Sequence, residues 1–170
     1  MELLISPFGA ISEKEQIAII NLIKIGNEAN AELVLNRMES SLLTAYIKGE
    51  MGVMGTATIK RPELSYRTYV FDQACLSKSP ENIPLELGYV FISPSFRNQG
   101  LALKLCKSLV GLIPKQAVFA TTRSDNEGMK AILQKLDFNQ EGVAYENRSK
   151  TNMLQFYLRD PQKFILDNLY

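Results

Sequence analysis

The stretch ISPSFRNQGLA (92–102) holds the residue types and spacing most able to do chemistry in this chain. A strand-like run stops at a proline, crosses an arginine and a glycine, and enters a strongly apolar segment. The first N–H groups of a helix beginning near Gly100 have no partner within that helix, and its aligned peptide dipoles leave partial positive charge there. Gly100 lets a ligand come close to the backbone, Ala102 keeps the next surface small, and Arg97 adds a planar, fixed positive charge. Together these suit an anion, and best a phosphate or pyrophosphate. The plainer reading is a strand-to-helix turn in which Arg97 is solvated and Gly100 merely relaxes the backbone. Two other phosphate patterns do not fit: the G-x-G-x-x-G fingerprint is absent, as is the Gly-Lys-Ser/Thr of a P-loop.

A second candidate is Glu86, a carboxylate in the otherwise apolar run LELGYVFIS (85–93). On a strand it would share a face with Gly88, Val90 and Ile92. A lone carboxylate there is costly unless solvated or paired, so it reads either as a functional base or as a strand-start residue facing solvent after Pro84. The chain has no histidine, which removes His general bases, Ser-His triads and most zinc sites, and no metal is expected. Cys106 falls on an apolar helical stripe and reads as core. Cys75 has no charged or histidine neighbour to activate it, so a covalent cysteine mechanism is set aside. Tyr66, Arg67 and Tyr69 read either as pocket walls or as a surface helix with amphipathic aromatics.

The elements that must position these residues follow from the pattern. A chain of 170 residues fits one domain, 1–170, and a net charge of +1 gives no global field for nucleic acid or anionic membrane. Glu2 stands where a signal peptide would be positive, no apolar run reaches membrane-spanning length, and two cysteines without a C-x-x-C pair suit a reducing cytoplasm. A soluble, cytoplasmic protein is therefore expected. Strands are expected at 2–8, 42–48, 52–60, 85–93, 116–123, 138–146 and 153–159, the second and third forming a hairpin. Helices are expected at 12–29 and 124–138, each behind a capping box (Ser12 with Glu15, Ser124 with Glu127), at 31–41 and at 101–113. The connection 61–84 holds a short helix near 65–75, and a terminal helix follows Pro161. The strand–helix–strand units of the second half argue for parallel pairing there, and the hairpin for an antiparallel first half.

With that order in place, VFISPSFRNQGLALKLCKSLV (90–110) resembles the acyl-coenzyme A binding segment of the GNAT superfamily of N-acetyltransferases. The shared features are a hydrophobic strand, a V-x-P-x-x-R exit and an Arg/Gln-x-x-Gly-x-Gly/Ala turn, here Arg97 to Ala102. SDNEGMKAILQKLDF (124–138) resembles that family's next segment, an Asn-led helix ending in Gly-Phe. The resemblance covers about 42–146 and implies an α/β fold: a mixed sheet of about seven strands, antiparallel in its first half, with a parallel pair at the acetyl-coenzyme A (acetyl-CoA) site and helices on both faces. It implies that backbone N–H groups of Asn98, Gln99, Gly100, Leu101 and Ala102 bind the pyrophosphate of acetyl-CoA beside Arg97. The pantetheine arm would pair with the backbone of Phe91 and Ile92, and Asn126 would bind the arm unless it is only a helix-entry residue.

Acetyl transfer to an amine needs no enzyme nucleophile, since the neutral amine attacks the thioester directly. An alkyl amine with a pKa near ~10 must first lose a proton, so a base or a desolvating site helps. Glu86 resembles in position the catalytic glutamate of several GNAT enzymes. By the same resemblance, a backbone N–H near Val90 or Phe91 would receive the oxyanion. The family's usual proton-donating Tyr is Leu133 here, its Gly before Phe is Asp137, and the often basic position 99 is Gln99. Tyr145 is the substitute donor, its alternative being packing. The expected activity is N-acetyl transfer to a small-molecule or peptide amine; the other reading is a fold that binds acetyl-CoA without transfer, as a sensor or interaction module. The apolar runs MLQFYLR and KFILDNLY would serve either a homodimer or the core.

Overall fold

The structure is a computed structural model and describes residues 1–27 and 31–161. In chain order its elements are β1 (Glu2–Ser6), α1 (Glu13–Asn27), α2 (Ala31–Glu39), β2 (Leu43–Gly49), β3 (Gly52–Lys60), α3 (Leu64–Gln73), β4 (Leu85–Ile92), α4 (Leu101–Gly111), β5 (Val118–Arg123), α5 (Glu127–Lys135), β6 (Asn139–Glu146) and β7 (Met153–Arg159). Short 3-10 turns precede α1, β4 and α4. The strands form one mixed sheet in the order β1-β2-β3-β4-β5-β7-β6. The expected terminal helix, the run KFILDNLY and part of the 26–30 linker lie outside the described residues.

The chain packs into two compact units, Met1–Arg61 with Leu87–Leu112, and Pro62–Glu86 with Ile113–Tyr170. In the first, Leu4 pairs with Tyr46 and Tyr46 with Thr56, while Ile47 pairs with Gly55. Strand alternation therefore puts Tyr46, Thr56 and Thr58 on one face, and Ile47, Gly55 and Ala57 on the other. Ile19 and Ile23 of α1 and Val34 and Met38 of α2 cover the first face, clustering with Phe8 and Tyr46. Leu105 of α4 covers the second, where it touches Gly55. The Ser12–Glu15 pair is not the expected capping box. The Ser12 hydroxyl donates to the Glu15 carboxylate (2.9 Å), which also receives Lys48 (2.5 Å) and the Tyr46 hydroxyl (3.1 Å) and so ties α1 to β2.

In the second unit β5 runs parallel to the start of β4 (Glu86 beside Phe119) and antiparallel to β7 (Phe119 beside Leu158, Thr121 beside Phe156). Tyr145 of β6 pairs with Leu154 of β7. Glu86, Phe119, Phe156, Leu158 and Tyr145 thus share one face, under Val70, Phe71 and Ala74 of α3. Phe71 meets Phe119 and Phe156 edge-on at 5.7 and 5.1 Å, and those two rings stack at 5.4 Å. Parallel pairing is found at β4-α4-β5 but not at β5-α5-β6, because β7 takes the place beside β5. The burial patterns show why: Gln155, Phe156, Tyr157 and Leu158 of β7 are buried, whereas β6 is largely exposed and suits an edge. The second expected capping box is also replaced. Asn126 caps α5, its Oδ1 accepting from the Met129 N–H at 3.1 Å, while the Ser124 hydroxyl donates to the Met153 carbonyl at 3.3 Å.

Candidate functional site

After Ile92 the chain is fastened to β3 by the Ser93 N–H, which donates to the Met54 carbonyl at 2.8 Å. A 3-10 turn (Pro94–Phe96) leads to Arg97, and both Asn98 (φ 61) and Gly100 (φ 72) adopt the left-handed conformation before α4 begins at Leu101. Asparagine and glycine are the residues that tolerate it. A Cβ on Gly100 would meet nothing within 4 Å, so backbone conformation rather than crowding calls for glycine. No side chain caps α4 and no acidic residue stands in its first turn. Asn98, Gln99 and Gly100 are exposed, so the start of the helix presents its N–H groups and its positive dipole end outward.

Arg97 is exposed but engages the end of β4. Its Nε donates to the Ile92 carbonyl at 3.1 Å and its guanidinium lies over the Phe91 ring, 5.3 Å from the centroid. It binds the turn back to the end of β4. The Phe91 ring in turn rests against Gly26 of α1, where any Cβ would collide with it.

Within β4 the structure shows a feature the sequence pattern missed. Tyr89 has φ 50, a conformation strained for a bulky aromatic residue, and it breaks the strand's alternation. Gly88 faces Lys60, whose Cε lies 2.6 Å from where a Cβ would be, whereas Ile92 packs at Gly55 on the α4 face. Residues 88 and 92 therefore point to opposite faces, and the expectation that Glu86, Gly88 and Ile92 line one face is corrected. Phe91, not Ile92, reaches the α1 side. Lys60 Nζ lies 4.9 Å from the centroid of the Tyr89 ring, and the buried Tyr89 hydroxyl has no hydrogen-bond partner among the described residues. β4 pairs with β5 only through Leu85 and Glu86, among the described residues.

Glu86 does not face solvent: it is 3 % exposed. On the same face, Tyr145 is 5 % exposed and its hydroxyl has no hydrogen-bond partner among the described residues. Burial first, then the nearby Glu86 charge and Tyr69, push the Tyr145 phenol well above its ordinary value of 10.0. It therefore stays protonated across the physiological range and can donate a hydrogen bond, though it is a reluctant source of a free proton. The structure thus brings together the two side chains singled out for catalysis. Asn126, exposed at the start of α5, spends its carbonyl oxygen on the helix cap.

The departures from the acetyltransferase pattern find physical explanations. Leu133 is fully buried and belongs to the core. Asp137 has φ 63, so it adopts the left-handed turn conformation that a glycine would favour. Cys106 is fully buried, and burial pushes its thiol up to about 12. Arg67 donates to the Pro62 carbonyl at 3.2 Å and to the Pro80 carbonyl, fixing the long connection. No helix among the described residues is long and apolar enough to cross a membrane.

A mixed sheet with a parallel β4–β5 pair, a β4 that breaks its alternation at Tyr89 and an uncapped helix start behind a left-handed glycine frame the candidate site. The acetyltransferase (GNAT) family model matches residues 11–138, and the chain belongs to that family. None of the curated proteins matches it in sequence. Among solved structures, a GNAT-family acetyltransferase of Bacillus cereus ATCC 10987 is 18 % identical, covering 94 % of this chain and 98 % of its own, with a TM-score of 0.64. The Salmonella typhimurium acetyltransferase yncA, solved with its cofactor acetyl-CoA, is 14 % identical, covering 95 % of each chain, with a TM-score of 0.66. An acyl-CoA N-acyltransferase of Pseudomonas aeruginosa is 12 % identical, covering 93 % of this chain and 98 % of its own, with a TM-score of 0.63. At these identities the likeness is one of fold.

Proposed function

We propose that this chain, acting as one acetyltransferase domain, is an acetyl-CoA-dependent N-acetyltransferase. The observation that carries this reading is the outward-facing, uncapped start of α4 behind Asn98 and Gly100 in a chain of the GNAT family. Backbone N–H groups of Asn98, Gln99, Gly100, Leu101 and Ala102 bind the pyrophosphate, with the helix dipole adding attraction. Arg97 holds that turn in shape. The backbone of Phe91 and Ile92, past the last residues that pair with β5, takes the pantetheine arm as an added strand, and the family resemblance adds Asn126 as a contact for that arm.

The acceptor amine gives a proton to Glu86, directly or through water, and its nitrogen lone pair then forms the C–N bond at the thioester carbonyl. The C–S bond breaks, the electron pair leaves with sulfur, and the thiolate takes the second proton from the nitrogen, which leaves a neutral amide and free coenzyme A. Tyr145 donates a hydrogen bond at this centre, and a backbone N–H at Val90 or Phe91, re-aimed by the Tyr89 bulge, receives the developing oxyanion.

The test is a calorimetric titration of the purified chain with acetyl-CoA. Saturable one-site binding in the roughly micromolar range is expected, and absence of binding at about 1 mM would overturn the reading. If acetyl-CoA binds but Glu86→Gln changes nothing in turnover over a panel of amines, Glu86 is not the base.

A further inference from the structure

We propose that the acceptor is a zwitterion, an amine that also carries a carboxylate, and that Arg148 holds its anionic end. This inference rests on the acetyltransferase reading and specifies its substrate class.

Arg148 lies over the ring of Tyr69, with its guanidinium carbon 4.5 Å from the ring centroid. It is exposed and, among the described residues, enters no ion pair, although Glu146 stands two residues away. Two other cations of the same unit, Lys78 and Arg67, are committed, Lys78 to Glu141 (3.1 Å) and Asp160 (3.8 Å) and Arg67 to two backbone carbonyls. Arg148 thus offers the planar donor fork that matches a carboxylate bidentately.

Its position is built rather than incidental. The loop that carries it is closed by Asn147, whose Oδ1 accepts the N–H groups of Thr151 (2.8 Å) and Asn152 (3.2 Å). Asn147 Nδ2 reaches the Thr151 hydroxyl at 3.0 Å, and the Lys150 N–H returns to the Asn147 carbonyl at 2.9 Å. A cation seated on an aromatic ring by a closed loop needs little further ordering when a ligand arrives.

The Tyr69 ring leads inward to the buried polar pair. Tyr69 packs against the buried cluster that contains Tyr145, and the strand register puts Glu86 on the same sheet face. The Tyr145 hydroxyl is a buried polar group without a partner among the described residues, which is costly unless a ligand supplies one. The Glu86 carboxyl group with its phenol neighbour, the Tyr69 ring and the Arg148 guanidinium belong to one unit. An ammonium ligand alone gains from Glu86 but is repelled by Arg148. A ligand with an ammonium at one end and a carboxylate at the other gains from both.

The experiment is calorimetry of the full chain, with and without coenzyme A. The probes are the ω-amino acids from glycine to 6-aminohexanoate, each compared with the n-alkylamine that lacks its carboxylate. At least one amino acid should bind tenfold or more tighter than its amine partner. Arg148→Ala should erase that difference, and Arg148→Lys, which keeps the charge without the fork, should restore only part of it; thermal melting checks that both variants fold. Equal binding of acid and amine, a difference that survives in Arg148→Ala, or no amino acid binding at all would overturn the proposal. A wild-type chain that binds an amino acid but not acetyl-CoA would instead defeat the transferase reading and leave the zwitterion site standing.

Discussion

Arg97 could serve a phosphate turn by its charge or by its geometry, and the two can be separated. Its Nε bond to the Ile92 carbonyl and its place over Phe91 make it a positioning residue. Lysine keeps the charge but has no Nε and no planar face. Arg97→Lys should therefore weaken acetyl-CoA binding about as much as Arg97→Ala, by roughly tenfold, as for the loss of a charge-assisted hydrogen bond. Calorimetry that finds the lysine variant at wild-type affinity would show that charge alone matters. At Glu86 the expectation is reversed: Glu86→Gln should leave acetyl-CoA affinity intact and lower turnover by roughly 10²–10⁴, the range for a general base. Tyr145→Phe removes a buried hydroxyl that bonds to nothing among the described residues. Its melting temperature should stay level or rise, because a desolvated polar group is lost, while turnover falls. A clear fall in melting temperature would mean that the hydroxyl has a structural partner in solution.

The α5 entrance shows how an element can be legible while its details are not. The stripe of Met129, Ile132, Leu133 and Leu136 announces the helix, because periodicity is a local property. Which residue caps it depends on where β7 runs, since the Ser124 hydroxyl is drawn to the Met153 carbonyl and leaves the cap to Asn126. Asn126→Ala should cost about 1 kcal/mol in urea unfolding, and Asn126→Ser, which can still cap, should recover most of it. If acetyl-CoA binding then falls equally in both variants, the amide also meets the coenzyme; recovery with serine would leave it a cap alone. The same contrast between local and distant causes runs through the rest of the chain. All seven strands and the turn that leads into α4 can be read from short stretches of residues. The insertion of β7 between β5 and β6 reflects competition among strands for a buried place. The Tyr89 bulge has no signal in LELGYVFIS beyond the neighbouring Gly88, yet it decides which of Phe91 and Ile92 faces α1. Glu86 and Tyr145 could each be picked out by residue type, but only the strand register puts them on one face.

For the molecule as a whole, buried acids that are neutral when protonated link folding to alkaline pH. Cys106 ordinarily ionises at 9.0 and is pushed up to about 12 by burial within the α4 stripe. Tyr145 ordinarily ionises at 10.0 and is also raised, by burial and then by Glu86. Below pH 9 the folded and unfolded chains both hold these protons, so the stabilisation is fully present and flat with pH. Above it the unfolded chain releases the Cys106 proton while the folded chain keeps it. Unfolding then liberates a proton, and stability falls with a limiting slope of about 1.4 kcal/mol per pH unit for each such group. The fall begins with Cys106, steepens once the unfolded chain's tyrosines ionise, and the Cys106 part levels off near pH 12. Urea midpoints measured from pH 8 to 10 should therefore decline first through the cysteine. Cys106→Ala leaves a small cavity and should lower stability at every pH, by roughly 1 kcal/mol, but it should flatten the decline between pH 9 and 10. The level and the slope thus move in opposite senses. An alanine variant that falls as steeply as the wild type would show that the thiol ionises within the folded chain, and that the α4 stripe admits water.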